Sequence, residues 1–537
     1  MTDNQRKVQI QYALTALAGA SAIGLATIGY LLWEYSDHAL GTRRHTDGIP
    51  QPAGAKALIG HLPLLGGNWV NVRLEESLKM RKQLGDVFMT SIPWKNQIET
   101  FLPEDVECVM KDPYIFVKGA AQAEQFVEFF GHGIFLSDAD PWRLQRKTAS
   151  NIFNVKNFRD FFGPIFISES QRLCNHLAEV AKTGTKLDIQ DLLLRATIDS
   201  FGLLSMGTDV GALKMKPVYK DGRYTLPDVP FMISFDAILA HQVIRFTNPF
   251  WKWNEFFGDS NGKAIKQHQK VIDDFSYSVI RERRQQLVAS GGLKDKGRMD
   301  LLDFFMQVEV EGNPPDDKFL RDVVMNYIIA GRDTTAQTTS WLIYELARNP
   351  EIEKKMREEM KQFLGDGPAD YELLKNLKYT TCVWNETLRL HCNVPTAPRV
   401  ATQDITLPSG YKVYKGETVQ WSSWAMGRSE KIWGPDASEF KPERWLKDDG
   451  SVMKASQWAW PVFNCGPRIC LGMNMATQEA LVIMSDMYRN FHFEVVGEDE
   501  PRKWGHFSEN VAERAGRYNV GVTLGFRNGL DVKVTRV

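Results

Sequence analysis

Phe463-Asn464-Cys465-Gly466-Pro467-Arg468-Ile469-Cys470-Leu471-Gly472 is the stretch on which the reading of this 537-residue chain turns. It sets Phe, Gly, Arg, Cys and Gly at fixed offsets and runs into helix-like sequence, Met473–Tyr488. A thiolate needs hydrogen-bond donors and positive potential to stay ionised, and a helix N-terminus supplies both. Gly466 and Gly472 let the backbone approach a large planar ligand and aim N–H groups at a sulfur. Arg468 can bind a carboxylate of such a ligand. A free cysteine buried in a glycine-rich turn is the plainer alternative. It fits Cys465, but not Cys470.

Working outward, the run Asp316 to Arg348 has no proline, follows Pro314-Pro315 and stops at Asn349-Pro350. These breakers suit the two ends of one helix, about 50 Å long at 1.5 Å per residue. Its middle reads Ala330-Gly331-Arg332-Asp333-Thr334-Thr335. Gly331 in mid-helix costs about 1 kcal/mol relative to Ala, and paired threonines compete for backbone carbonyls, so a kink or groove is expected there. An ordinary polar patch in a helix is the alternative. Pro350 to Phe363 and Leu377 to Leu390 read as two further helices. In the second, Glu386 and Arg389 face the same side at i and i+3. Short β-like stretches lie near Val87–Pro93, and a hairpin is expected around Leu407-Pro408-Ser409-Gly410 and Tyr414-Lys415-Gly416. Lys214–Pro227 and Ser290–Gly297 read as flexible breaks. No repeat or composition shift divides the chain. The fold class expected is mainly α with a minor β portion, in one large helix-rich domain.

The glycine-bracketed loop resembles the haem-binding loop of the haem-thiolate monooxygenases, the cytochrome P-450 family. The pattern F-x-x-G-x-R-x-C-x-G is matched at every fixed position, by Phe463, Gly466, Arg468, Cys470 and Gly472. The long helix matches A-G-x-[DE]-T-T, Glu386-Thr387-Leu388-Arg389 matches E-x-x-R, and Phe440-Lys441-Pro442-Glu443-Arg444-Trp445 matches F-x-P-E-R-[FW]. Trp142-Arg143-Leu144-Gln145-Arg146 matches W-x-x-x-R. The motifs stand in the family's order and cover everything after about Pro50. The resemblance implies the cytochrome P-450 fold and haem b with iron axially ligated by Cys470. It also implies Asp333 and Thr334 as the catalytic pair that passes protons to bound dioxygen. Arg146, Arg399 and Arg468 are the expected partners of the haem propionates, Arg399 (in Ala397-Pro398-Arg399) without a motif position of its own. Trp142 touches the haem or is plain core. Glu386, Arg389 and Arg444 form a structural network. Some animal fatty-acid hydroxylases carry a Glu before the long-helix glycine that attaches covalently to haem; this chain has Ala330, so non-covalent haem is implied.

At the other end, no charged residue occurs from Val8 to Trp33, and Tyr12 to Trp33 spans about 33 Å as a helix, enough to cross a bilayer. Tyr30 and Trp33 sit where an interfacial aromatic belt forms. A cleaved signal peptide at Ala20-Ser21-Ala22 and a buried core helix are the alternatives. Residues 1–11 are then a short flank, 12–33 a transmembrane anchor, and 34–52 a linker ending in the stiff Ile49-Pro50-Gln51-Pro52. Residues 53–537 are the catalytic domain. The family implies the endoplasmic reticulum membrane, a cytoplasmic catalytic domain, electrons from NADPH through a partner reductase, and cytochrome b5 as a second partner. With 65 Lys plus Arg against 66 Asp plus Glu, there is no electrostatic case for nucleic acid. Six cysteines in a chain of this length make no disulfide framework, and a reducing compartment follows.

Gly131-His132-Gly133-Ile134-Phe135, the run Gln145 to Ser150, Gly427-Arg428 and Ile432-Trp433-Gly434 look like the plant and fungal fatty-acid and alkane ω-hydroxylase clan. The substrate expected is a lipophilic chain oxidised by O2 near its end. Alternatives are a sterol, terpenoid or xenobiotic, an O2-independent isomerase of oxygenated lipids, or a non-catalytic haem carrier. Phe126, Phe129 and Phe130 read as a loop lidding an elongated apolar pocket, or as exposed-loop packing.

Overall fold

The computed structural model describes residues 23–64, 73–248, 250–289, 299–310, 312–497, 517–518 and 521–537. Nine helices organise it: α1 (Ala139–Ser150), α2 (Gly163–Thr183), α3 (Ile189–Met206), α4 (Pro230–Thr247), α5 (Ser260–Ala289), α6 (Asp317–Leu346), α7 (Pro350–Leu364), α8 (Lys378–Leu390) and α9 (Met473–Asn490). The breakers act as the sequence implies. The Asp316 side chain accepts the Phe319 N–H at 2.7 Å and caps α6, and Pro350 occupies the first turn of α7. α6 is buried almost throughout, lying along α3 and flanked by α5, α8 and α9. It runs unbroken through Gly331. The glycine serves packing rather than a kink: a Cβ there would stand 2.0 Å from the Phe201 ring of α3.

The β portion is two five-stranded sheets and a hairpin. The first sheet has the order β1-β2-β10-β7-β3, with β1 (Val87–Ile92), β2 (Lys95–Thr100), β3 (Phe116–Val117), β7 (Thr396–Ala401) and β10 (Thr418–Ser422). β8 (Ile405–Thr406) and β9 (Lys412–Val413) are the expected hairpin around Leu407 to Gly410. The second sheet has the order β11-β12-β4-β6-β5, built from β4 (Lys186–Asp188), β5 (Val218–Lys220), β6 (Arg223–Thr225), β11 (Phe491–Val495) and β12 (Asp531–Arg536). Lys214–Pro227 is thus no flexible break: it holds the β5–β6 hairpin, which β4 pairs in parallel. The Ser290–Gly297 break falls almost wholly outside the described residues.

The stretch expected as a linker is folded onto the domain. The Pro50 carbonyl accepts the Met89 N–H at 2.8 Å, Ile49 is buried in the core, and His45 Nε2 lies 2.9 Å from Glu417. Leu58 donates its N–H to the Tyr35 carbonyl at 3.1 Å, and Leu40 donates to the Leu58 carbonyl at 2.8 Å. Pro50 therefore presents its carbonyl to an edge strand, and the Pro52 carbonyl lies 3.0 Å from His61 Nε2, instead of the two spacing two bodies apart. Residues 23–34 are helical and expose Ile23, Leu25, Ile28, Tyr30, Leu32 and Trp33. Residues 12–22 of the expected anchor lie outside the described residues. Among the described residues, no helix is long and apolar enough to cross a membrane.

Candidate active site

The loop ahead of α9 is held by its own backbone. Cys470 donates its N–H to the Phe463 carbonyl at 2.7 Å, closing the ring of residues between them, and Gly466–Arg468 forms a single 3-10 turn. Gly466 has φ +59°, and a Cβ would stand 2.5 Å from the Met110 carbonyl oxygen. Its lack of a side chain is therefore required by the neighbouring helix Pro103–Lys111. Gly472 is the residue that reaches the sulfur: it N-caps α9 and its backbone N–H hydrogen-bonds the Cys470 thiol. Phe463 packs edge-on against Trp460 at 6.3 Å.

Of the six cysteines, Cys470 alone is exposed; Cys465, Cys382 and Cys392 are buried, and Cys108 and Cys174 are intermediate. Burial pushes the Cys465 thiol up to about 12, which suits an inert core residue. Desolvation within the fold raises the Cys470 thiol too, even though its side chain is open on one side, against the opposing pull of the Gly472 N–H and of Arg146. A bound metal cation would reverse that balance, since a coordinating thiol is deprotonated. Arg146 donates to the Ile469 carbonyl at 2.7 Å, which fixes α1 against the loop.

Beside the loop stands a group of cations with too little opposing charge. Lys118, Arg399 and Arg468 act on one another, with Asp138 as their neighbouring carboxylate. Burial first, then Arg399 and Arg468, hold the Lys118 ammonium well below its ordinary value. Burial and Arg468 bring Arg399 down to about 10, and its Nη2 is buried with no hydrogen-bond partner. Arg468 donates to Asp138 at 2.6 Å and to the Ser137 carbonyl at 3.0 Å, with its guanidinium 4.1 Å from the centroid of the buried Trp142. Three cations, Arg399 and Arg468 buried and Lys118 half-buried, against the single carboxylate of Asp138 are costly unless a dianion lies among them. The two propionates of haem are such a dianion, so these residues fit the group. Lys118 belongs to no motif; only its contact with two of the expected arginines reveals it.

α6 carries the third part. Between Leu320 and Leu346 every residue is buried except Ala330 and Thr334, one turn apart on one face. Tyr327, a further two turns back from Thr334, keeps that face; its buried hydroxyl has no partner and feels Arg146 and Cys470. α6 therefore turns this face toward the cysteine loop. Asp333 points elsewhere: Arg332 donates to it at 2.8 Å and Thr523 donates to it at 3.3 Å. Burial, opposed by Arg332, raises its carboxyl to about 6. The sequence pairs Asp333 with Thr334, but the structure sets them on different sides of the helix.

The remaining motif residues are structural. Arg389 donates to both oxygens of Glu386 at 2.7 Å, Arg444 to one at 2.9 Å and the Trp445 indole to the other at 2.8 Å. This joins α8 to the Phe440–Trp445 segment in a network whose Glu386, Arg389 and Trp445 are fully buried. Phe126, Phe129 and Phe130 are all buried rather than loosely packed on the surface, with Phe129 edge-on to Phe235 of α4 at 5.0 Å. Arg321 and Asn326 of α6 donate to the carbonyls of Phe129 and Phe130 at 2.9 and 2.7 Å, tying this wall to the helix.

Comparison with known proteins agrees with the geometry. The family described as Cytochrome P450 matches residues 50–520. Cytochrome P450 704C1 of Pinus taeda is 32% identical over 86% of this chain and 89% of its own length. Cytochrome P450 monooxygenase cyp1 of Mycosarcoma maydis is 32% identical over 88% of this chain and 73% of its own. Cytochrome P450 86B1 of Arabidopsis thaliana is 35% identical over 72% and 70%. A family match spanning most of the chain, together with an accessible thiol beside a cation-rich cradle, leaves one assignment: the chain belongs to the cytochrome P450 family, oxidoreductases of the monooxygenase class that hold haem through a cysteine-ligated iron.

Proposed function

We propose that this protein is a membrane-anchored monooxygenase that inserts one atom of O2 into a C–H bond of a fatty acid or alkane near its end. Cys470 is the iron ligand, and Trp142, Arg146, Arg399, Phe463, Gly466, Arg468 and Gly472 build the haem cradle. The observation that carries this reading is that Cys470 alone of six cysteines is exposed, beside Arg146 and at the N-terminal end of α9. Haem, when bound, supplies dioxygen binding and reductive O–O cleavage, which thiolate donation favours.

The chain's own residues do the rest. Arg399, Arg468 and Lys118 neutralise the propionates. Gly472 donates its N–H to the sulfur, which tempers the thiolate. Thr334 offers a hydroxyl on the accessible face of α6, and Asp333 holds a proton behind it for delivery to the reacting oxygen. Phe126, Phe129 and Phe130 form an apolar wall that suits an elongated chain and excludes water. The resemblance of the local runs to the plant and fungal ω-hydroxylase clan, and the plant and fungal origin of the relatives, support the substrate class. The exposed apolar helix at residues 23–34 supports anchoring in the endoplasmic reticulum membrane. Electrons then come from NADPH through a reductase on the cytoplasmic side, with cytochrome b5 as a second donor.

The test is to screen fatty acids, alkanes, sterols and terpenoids for a haem spin-state change, then to add reductase and NADPH with the best binder. Terminal hydroxylation with NADPH and O2 consumption is expected. Binding without O2 consumption, with a rearranged product, would establish an isomerase instead. Recovery of the intact chain in the soluble fraction after carbonate washing would count against the anchor.

A further inference from the structure

The Arg332 guanidinium is shared between two helices. It is buried on α6, yet both its terminal nitrogens reach Asp236 on α4, at 2.6 and 2.9 Å, and one also reaches Asp333 at 2.8 Å. The two carboxylates differ sharply in environment: the Asp236 side chain is 54% exposed and that of Asp333 only 4%. The Phe235 ring lies 4.9 Å from the guanidinium, and Thr197 donates to the Arg332 backbone carbonyl at 2.8 Å, which ties this turn of α6 to α3. From α3, Asp191 adds its charge on Arg332 while paired to Arg195 at 2.8 Å; from the C-terminal segment, Thr523 faces Asp333. One cation thus serves two acids, and the outer acid takes two of its three hydrogen bonds.

We propose that Asp236 is a positioning residue for proton delivery: by engaging Arg332 from α4, it keeps that guanidinium from fully neutralising Asp333 and so sets the charge that Asp333 carries. This rests on the reading of Asp333 as the proton donor. The electrostatics agree in direction. Burial is the first cause of the raised Asp333 carboxyl, Arg332 opposes it, and Asp236 adds to it. Removing the Asp236 charge takes away a like charge and leaves Arg332 wholly to Asp333. Both changes favour the ionised form.

The experiment is an infrared titration of the full-length ferric protein, following the protonated carboxyl band that disappears in Asp333→Asn. With Asp236→Asn the titration midpoint should fall by about one pH unit, and with Asp236→Glu it should stay at the wild-type value. Substrate affinity, read by the spin-state change, should be the same in all three. A midpoint that does not move in Asp236→Asn overturns the proposal. So does a midpoint that moves equally in Asp236→Glu, since loss of helix position rather than of charge would then be the cause. Product formed per NADPH, measured across the same pH range, separates the two layers. If the midpoint falls and the coupling profile follows it, both stand. If the midpoint falls and the profile stays, Asp236 still sets the charge of Asp333, but Asp333 is not the donor.

Discussion

The Thr334 hydroxyl donates to the Ala330 carbonyl one turn earlier, at 2.7 Å, and these two residues are the accessible pair in the buried length of α6. The bond leaves the oxygen lone pairs of Thr334 free to accept from a water or a bound ligand. Thr334→Ala should bind substrate with unchanged affinity and consume NADPH at a similar rate. Its product per NADPH should fall about tenfold or more, with peroxide or water released instead. Loss of affinity at unchanged coupling would place Thr334 in the pocket wall.

Cys470→Ser should abolish the red-shifted absorption of the reduced carbon monoxide complex, while Cys465→Ser should keep it. The Cys465 thiol is buried in the core and raised to about 12, whereas Cys470 is exposed at the N-terminal end of α9. The reverse result would shift the assignment five residues upstream.

Lys118 gives the cradle a test outside the motifs. Lys118→Glu inserts a negative charge where Arg399 and Arg468 already share Asp138, and it should repel a dianionic cofactor. Transfer of haem to an excess of apo-globin should be at least about tenfold faster than from wild type or Lys118→Arg, taking the change as more than 1.4 kcal/mol. Equal rates would remove Lys118 from the cofactor site.

Glu479 on α9 is buried and accepts from the Ser200 hydroxyl at 2.5 Å; burial raises its carboxyl to about 7. Its folded-state value lies above the unfolded value, so the native state holds a proton that the unfolded chain has released. Stability therefore falls as pH rises from about 4.5 to about 7 on this group's account. Glu479→Gln should flatten that part of the thermal-midpoint profile. Above pH 7 it should be the more stable protein, by an amount on the order of 2 kcal/mol. Parallel profiles would show that the wild-type carboxyl is already ionised at low pH.

Gly331→Ala should destabilise by about 1–3 kcal/mol, more than its helix propensity would recover, because the added methyl would overlap the Phe201 ring. Phe201→Leu in the same chain should recover part of the loss in the thermal midpoint. A neutral Gly331→Ala would mean that α3 and α6 can separate without cost.

What could be read from the chain alone divides by range of interaction. The ends of α6 and α7 were legible because Pro315, Asn349 and Pro350 act locally, and the Glu386–Arg389 pair because i and i+3 share a helical face. The motif Asp333-Thr334-Thr335 lies at the turn of α6 where Thr334 breaks the buried run, but adjacency in sequence hid that neighbours on a helix point about 100° apart. The reasons for Gly466 and Gly331 lay in Met110 and Phe201, each far away in sequence. Lys118 carried no signal, since one lysine after a short strand looks like any other. The β5–β6 hairpin was taken for a break because its edge strand is exposed and its pairing partner, β4, lies 37 residues upstream of β6.

The clamp between Tyr35 and Leu58 decides how the body can move relative to residues 23–34. A free linker of the length from 34 to 52 could wander over tens of ångströms, and the orientation of the catalytic domain would be set by chain entropy. With the Tyr35 carbonyl held by Leu58 and the Pro50 carbonyl by Met89, that slack is gone. Whatever surface residues 23–34 lie against, the first sheet is held close to it by short backbone hydrogen bonds and not by a slack tether.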